Sequence, residues 1–255
     1  QERRDWKGSI GVSGGHLGNT GKSRCCEADR GRCQVMAEQL STQKRRIAAF
    51  LLTAVALAIL AAPFGLLALH YGTIFANAEN TLAVMSSLAA LLAVSFLFLE
   101  VMIGSFRPLL IRVFKPARLG RLHIALGLIG LAFALTHFVL LIPKLGEHFS
   151  TDSRTFFIAG PIVLVLLIFT ISTALMFRRF ASSWRLIHLV NYVILVTAIA
   201  HGLVIGYDAG MLALKLLFYG YLTFVFLGLA YRATNPRWRQ NLRLPHRKKP
   251  TGNRA

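Results

Sequence analysis

The chain has 255 residues, of which 55% are apolar, and its 29 Lys and Arg against 10 Asp and Glu give a formal net charge of +19. A mean hydropathy of +0.57, with the apolar residues collected into long uncharged blocks, excludes an ordinary water-soluble domain. The basic residues lie at the ends of these blocks and form no basic face on a soluble domain, so we exclude nucleic acid as the partner.

Six apolar blocks are long enough to cross a membrane. A hydrocarbon core of about 30 Å requires about 20 apolar residues per helix. Backbone groups in lipid must bond within their own segment, which predicts helices and not an open sheet. The predicted spans are Ile47–Leu69, Leu82–Gly104, Leu119–Pro143, Phe157–Phe177, Leu186–Gly206 and Met211–Tyr231. We therefore expect an all-α integral membrane protein with a six-helix transmembrane bundle in the lipid bilayer.

The basic residues alternate between the two ends of the spans. They are dense before the first span, in the second and fourth connections and after the last span, whereas the other connections hold only Lys144 and Arg154. Cytoplasmic loops carry an excess of Lys and Arg. This pattern predicts that both termini are cytoplasmic. It is typical of a multi-pass protein of the cell membrane.

Three regions follow from this pattern. Residues 1–45 form a basic N-terminal extension that we expect to be disordered or non-native, with Met36 as the natural start. Its cysteines, Cys25, Cys26 and Cys33, have a spacing that matches no strong metal motif. Residues 46–232 form the membrane domain, and residues 233–255 form a basic cytoplasmic tail.

Four of the eight histidines lie inside predicted spans, His123 and His137 in the third and His188 and His201 in the fifth. Ionisable residues within a membrane are functional candidates. A single such histidine is more often bonded to a neighbouring helix, but two pairs on two helices favour a shared role.

The spacing of these histidines carries the prediction. His137 follows His123 by fourteen positions, and His201 follows His188 by thirteen. These spacings correspond to rises along the helix of about 21 and 20 Å. Because both spans leave the cytoplasm, His123 and His188 lie at an inner level and His137 and His201 at an outer level. Neutral imidazole is a common axial ligand of haem iron. We therefore predict two stacked b haems between the third and fifth helices, each with one histidine pair as iron ligands.

The thirteen-residue spacing fits less well than the fourteen-residue one. At 100° per residue, thirteen residues leave the second ligand about 140° around the helix. The fifth span must therefore be overwound, contain a π-bulge, or approach the two porphyrins from different sides.

Other residues near the histidines have two interpretations. Gly127, Gly130 and Gly202 either leave room for a porphyrin or serve ordinary helix packing. Arg121 and Arg185, with Trp184 beside the latter, either bind the inner haem propionates or only mark the cytoplasmic side. Two further alternatives are open. Glu100 is either neutral and hydrogen-bonded or part of a proton or quinone path. Asn191 and Tyr192 are placed to orient the ring of His188, although Tyr192 could equally serve helix packing.

These motifs resemble a known family. The elements Arg121-Leu-His123, Gly127 and His137, followed by Trp184-Arg185-x-x-His188-x-x-x-Tyr192 and His201-Gly202, are similar to the ferric-reductase-like transmembrane domain. That superfamily includes ferric reductases, NADPH oxidases and the bacterial methionine sulfoxide reductase haem subunit, MsrQ. The resemblance implies that the four histidines bind two haems, which relay electrons from a cytoplasmic flavin or quinone toward the outer face.

The resemblance does not extend past the last span. The larger members continue into FAD and NAD(P)H domains, whereas the tail here holds no Gly-rich dinucleotide fingerprint. The chain thus looks most like a compact bacterial membrane subunit of this superfamily. We expect the membrane electron-transfer subunit of an oxidoreductase in a bacterial inner membrane, without catalytic residues of its own. A separate flavoprotein or the quinone pool would be its donor, and its acceptor would be periplasmic or extracellular.

Two alternatives remain. The chain could be an MsrQ-like subunit that donates electrons to a periplasmic methionine sulfoxide reductase. It could instead be a non-haem membrane transporter whose histidines pair with acids, for which Glu100 is nearly the only acid inside the spans.

Overall fold

A computed structural model describes residues 20–71, 78–144, 154–176, 184–205 and 210–234, with side chains described for 42–69, 81–143, 158–176, 189–205 and 210–234. These residues form helices and turns and include no strand, as the sequence predicted. In chain order the helices are α1 (Thr20–Tyr71), α2 (Ala78–Ser105), α3 (Arg107–Leu110), α4 (Pro116–Leu141), a 3₁₀ turn (Ile142–Lys144), α5 (Arg154–Leu175), α6 (Trp184–Ile205) and α7 (Leu212–Thr234).

Contacts divide the chain into two units, Gln1–Ile47 and Ala48–Ala255. The first unit contains the start of α1, which begins inside the predicted extension 1–45. The second unit contains the remaining helices, and the site described below lies entirely within it. Of the predicted tail, 233–255, only the end of α7 is among the described residues.

Five of the helices are long and apolar enough to cross a membrane: Thr42–Leu69, Thr81–Ser105, Pro116–Leu141, Ile158–Leu175 and Leu212–Thr234. The fifth predicted span lies in α6, whose described apolar part, Leu189–Ile205, is shorter than the others. Large apolar side chains are exposed on these helices, such as Phe50 at 72% and Leu69 at 86%. An apolar surface of this extent is stable in lipid and not in water, so the chain is a multi-pass membrane protein.

Proline helps to define the turn between α2 and α4. Pro116 occupies the first turn of α4, where its missing N–H costs nothing because that group has no partner inside a helix. Pro108 occupies the same position in the short α3. The chain therefore reverses direction through a few residues, and α2 and α4 lie side by side.

Helix α2 is the centre of the bundle. It packs most extensively against α4 and also against α7 and α6. Over half of its membrane window is buried (56%), against 28% or less for each of the other candidate spans. Its core residues Leu97 and Phe98 join Leu195 and Ile199 of α6 and Val225 of α7 in one apolar cluster. Side chains that point inward from α2 therefore meet three neighbouring helices.

The close approach of α2 and α4 depends on glycine. A Cβ on Gly130 would lie 3.2 Å from Cγ of Leu97, and one on Gly127 would lie 3.7 Å from Cγ of Glu100. A Cβ on Gly202 would similarly lie 3.3 Å from a ring carbon of Phe218 on α7. These contacts are those of small-residue helix packing in membranes.

Candidate functional site

Both histidines of α4 face α2. The Nδ1 atom of His137 lies 2.9 Å from the backbone oxygen of Ser86 and 3.0 Å from the Ser86 hydroxyl. A backbone carbonyl can only accept a hydrogen bond, so Nδ1 carries the proton and donates it. The lone pair of this neutral imidazole is then on Nε2. That is the nitrogen that remains for a metal or for another donor.

His123 repeats this arrangement on the same helix. Its Nδ1 lies 3.2 Å from the backbone oxygen of Glu100 and therefore also donates to a carbonyl of α2. Its Nε2 lies 3.2 Å from the Glu100 carboxyl. The Glu100 side chain is 7% exposed. The two side chains therefore share one proton away from water, either as a neutral acid that donates to imidazole or as an ion pair.

The two contacts have the same register. Ser86 and Glu100 are fourteen residues apart on α2, as His137 and His123 are on α4. Fourteen residues are close to four helical turns. Because the helices are antiparallel neighbours, one interface presents both histidines to carbonyl oxygens about 21 Å apart along the helices. We refer to these two positions as the His123 level and the His137 level.

His201 of α6 lies at the His137 level. It is near enough to His137 to interact with it electrostatically. Its ring also lies against Gly160 of α5, where an added Cβ would be 2.8 Å from His201 Cε1. Any side chain at Gly160 would therefore displace the imidazole. Gly160 was missed by sequence reasoning, because a glycine one position before Pro161 in an apolar helix carries no sign of a histidine on another helix.

The remaining predicted residues are less informative. Trp184, Arg185 and His188 belong to the first turns of α6, but their side chains lie outside the described residues. The side chain of Arg121 is exposed at the start of α4. The structure therefore describes the surroundings of His123 but does not test its predicted pairing with His188.

Helix α6 is α-helical from Trp184 to Ile205. A π-bulge between His188 and His201, one of the three alternatives for their spacing, is therefore absent from this described helix. Thirteen residues of regular α-helix turn the second histidine about 140° from the first. The positions of His188 and His201 therefore lie on different sides of α6.

Asn191 and Tyr192 of α6 have partners other than those considered from the sequence. Asn191 Nδ2 donates to the Glu100 carboxyl at 3.4 Å, which extends the His123–Glu100 contact to α6. Its buried Oδ1 has no hydrogen-bond partner among the described residues. Glu100 thus holds side chains of both α4 and α6 at the His123 level.

A directed chain of hydrogen bonds lies beside this cluster. Ser105 Oγ donates to the backbone oxygen of Val101 at 2.7 Å, so the Tyr192 hydroxyl donates to Ser105 at 2.6 Å. Arg232 Nη1 donates to the same hydroxyl at 2.8 Å, and its guanidinium lies 5.5 Å from the centre of the Tyr192 ring. The network joins α2, α6 and α7 and brings a half-buried cation to the His123 level.

Arg232 is therefore an arginine that the structure turns toward the inside of the bundle. It is within electrostatic reach of both Glu100 and His123. From the sequence it was one of several basic residues at the end of the last span, and nothing in its local pattern distinguished it. Its position follows from Tyr192, forty residues earlier in the chain.

No protein-family model matches this chain, and comparison with the curated proteins and with the solved structures also finds no match. Within the described part of the chain, no group of three or more His, Cys, Asp and Glu could hold a metal ion by itself. A haem has a different requirement, because the porphyrin supplies most of the iron ligands and the protein supplies the axial ones.

The fit of a haem can be tested at each level. At the His137 level, Nδ1 is bonded to a carbonyl, as in most metal-binding histidines, Nε2 carries the lone pair, and a second imidazole is nearby. These residues fit. At the His123 level, Nδ1 has the same kind of bond, but Nε2 contacts Glu100. A haem there requires the Glu100 carboxyl to turn away from Nε2.

Proposed function

We propose that this chain is a transmembrane di-haem b-type cytochrome. It would carry electrons from a cytoplasmic flavin or quinol donor across the membrane to an acceptor at the outer face. The supporting observation is the hydrogen bond from His137 Nδ1 to the Ser86 carbonyl, with His201 within electrostatic reach. This bond gives the imidazole the tautomer that an axial iron ligand requires.

Each part of the site has a role in this proposal. His137 and His201 would hold the outer haem, and His123 and His188 the inner one. The carbonyls of Ser86 and Glu100 orient the two rings of α4, and Gly160 makes room for the ring of His201. When bound, each haem supplies a one-electron redox centre.

The distance between the levels suits this role. The His123 and His137 levels are about 21 Å apart along α4, within a hydrocarbon core of about 30 Å. Residues of the bundle between them, such as Leu97 and Leu126, are buried and apolar, so they exclude water from the interior of the membrane. Two redox centres at these depths would divide the crossing into short steps.

We also propose the orientation and the partners. The alternation of basic residues favours cytoplasmic termini and six spans including α6. The resemblance to the compact bacterial members of the ferric-reductase-like superfamily favours a bacterial inner membrane. The donor would be a separate flavoprotein or the quinone pool. By the resemblance to the ferric-reductase-like domain, a periplasmic methionine sulfoxide reductase is one candidate acceptor and a ferric complex is another.

The experiment is a spectrum of the purified, haem-supplied protein. We expect b-type bands on reduction with dithionite and about two haems per chain by the pyridine haemochrome assay. Absence of a Soret band would exclude the proposal.

A second candidate function rests on the contact between His123 and Glu100. A buried histidine–carboxyl pair is also found in proton-conducting membrane proteins, and it is the pairing that a non-haem transporter requires. His137 contacts only Ser86 in the hydrogen bonds described for it, with no acid. Colourless membranes after overexpression, together with proton uptake by reconstituted vesicles that is lost in Glu100→Gln, would favour the transporter.

A further inference from the structure

Ser86 differs from the other buried serines of α2. Ser95 and Ser105 donate to the carbonyl four residues earlier and receive a hydrogen bond from a tyrosine. Ser86 is equally buried, at 3% exposure, but both its hydroxyl and its backbone oxygen contact Nδ1 of His137. Among the described buried serines of α2, Ser86 is the one whose hydroxyl contacts a histidine.

The directions of these two hydrogen bonds are related. The backbone oxygen at 2.9 Å accepts, so Nδ1 carries a proton. The hydroxyl oxygen at 3.0 Å must then accept from the same N–H. The N–H is shared between two acceptors of one residue. A shared N–H of this kind resists rotation of the ring about its Cβ–Cγ bond and withdraws the proton from the ring, which makes Nε2 more basic.

We propose that Ser86 is the positioning residue of the outer haem ligand and that its hydroxyl tunes the basicity of His137. The backbone oxygen alone would keep the ring in the right tautomer. The hydroxyl adds a second acceptor, which favours the ferric state of an iron bound at Nε2. This inference depends on the proposed function, because it assigns Ser86 a role toward the haem that His137 would bind.

The hydroxyl can be tested separately from the carbonyl. Ser86→Ala removes the hydroxyl and leaves the backbone acceptor in place. We expect the outer haem to remain but to bind about tenfold more weakly, at the low end of the effect of such second partners. Its midpoint potential should shift to a more positive value, and the low-spin EPR signal of that haem should change. Ser86→Thr keeps a hydroxyl and should restore the affinity, the potential and the EPR signal.

Ser95→Ala is the matched control. It makes the same change in the same buried helix, but the hydroxyl that it removes is bonded to Tyr221 and not to a histidine. We expect it to lower stability without moving the potential of either haem. If Ser86→Ala and Ser95→Ala have the same potentials and EPR signals, Ser86 has only a structural role and the inference is wrong.

The outcomes also separate this inference from the proposed function. A wild-type protein that binds no haem refutes the proposed function. A wild-type protein that binds haem, loses it in His137→Ala and is unaffected by Ser86→Ala refutes only the role of Ser86. If Ser86→Ala does not fold, Ser86→Thr decides: a potential equal to that of wild type supports the role of the hydroxyl, and a shifted potential contradicts it.

Discussion

Glu100 contacts His123 through both its main chain and its side chain. Its backbone oxygen accepts from Nδ1 at 3.2 Å, and its carboxyl lies 3.2 Å from Nε2. One residue of α2 therefore meets both nitrogens of a ring on α4. The corresponding residue at the other level, Ser86, meets only Nδ1 of His137. Both histidines of α4 carry a proton on Nδ1, but their Nε2 atoms have different surroundings.

Replacing His137 by alanine should remove the outer haem. The substitution takes away one proposed axial ligand, while the inner level, about 21 Å along the helix, keeps its residues. We expect about one haem per chain in the variant and about two in the wild type, measured by the pyridine haemochrome assay. Haem content equal to that of wild type would exclude His137 as a ligand.

Replacing Gly160 by alanine should disturb His201. The new Cβ would lie 2.8 Å from Cε1 of that ring, so the imidazole must move. We expect weaker binding of the outer haem and an altered EPR signal. Gly220→Ala is the control, because no atom lies within 4 Å of the Cβ position there. In the middle of α7 this control should be neutral or stabilising by up to about 1 kcal/mol, and an equal loss of haem in both variants would contradict the role of Gly160.

Substitutions of Glu100 should separate hydrogen bonding from charge. Both contacts involve Oε1 of Glu100. A glutamine NH2 at that position donates to His123 Nε2, and Asn191 can turn its amide so that its unpartnered Oδ1 accepts from the same NH2, so Glu100→Gln should unfold at a temperature near that of wild type. Glu100→Ala leaves both buried groups without that partner and should cost about 1–3 kcal/mol.

The measurement for Glu100 is thermal unfolding in one detergent. Thr223→Ala is a control, because its exposed hydroxyl bonds only to the carbonyl of Tyr219 within its own helix. A glutamine variant as unstable as the alanine variant would show that the carboxylate charge, and not the hydrogen bonds, stabilises this cluster.

The proposed orientation predicts the location of both ends of the chain. A reporter that fluoresces only in the cytoplasm should be active when fused after Thr234, and a reporter that is active only outside should be inactive there. A fusion in the connection between α4 and α5 should give the opposite result. An active outside reporter after Thr234 would contradict the positive-inside assignment.

Much of the fold follows from local sequence. Each apolar block is long enough to bury its own backbone hydrogen bonds as a helix, so helix type and lipid exposure need no information about neighbours. The predicted spans agree with the helices to within a few residues for α2, α4 and α7. Helix α6, Trp184–Ile205, also matches its predicted span, Leu186–Gly206, to within two residues at either end.

The vertical positions of the histidines also follow from sequence, because a helix rises by a constant distance per residue. Their lateral contacts do not. Whether the rings of α4 face α2 or lipid depends on how α4 is rotated about its axis, and in the structure Gly130 of α4 packs closely against Leu97 of α2. Ser86 and Thr53 are both hydroxyl residues within apolar helices. Nothing in their local sequence shows that Ser86 is buried against a histidine, whereas the exposed Thr53 bonds only to its own helix.

The sequence by itself determined that the chain is helical, that it lies in a membrane and that it carries histidines at two depths, since these properties depend on composition and helical rise. Only the tertiary structure decided which groups surround each ring: Ser86 and His201 near His137, Glu100 at His123, Gly160 beside His201. The physical reason is that such contacts join residues of different helices. They arise from the packing of whole helical faces, and no local pattern contains that information.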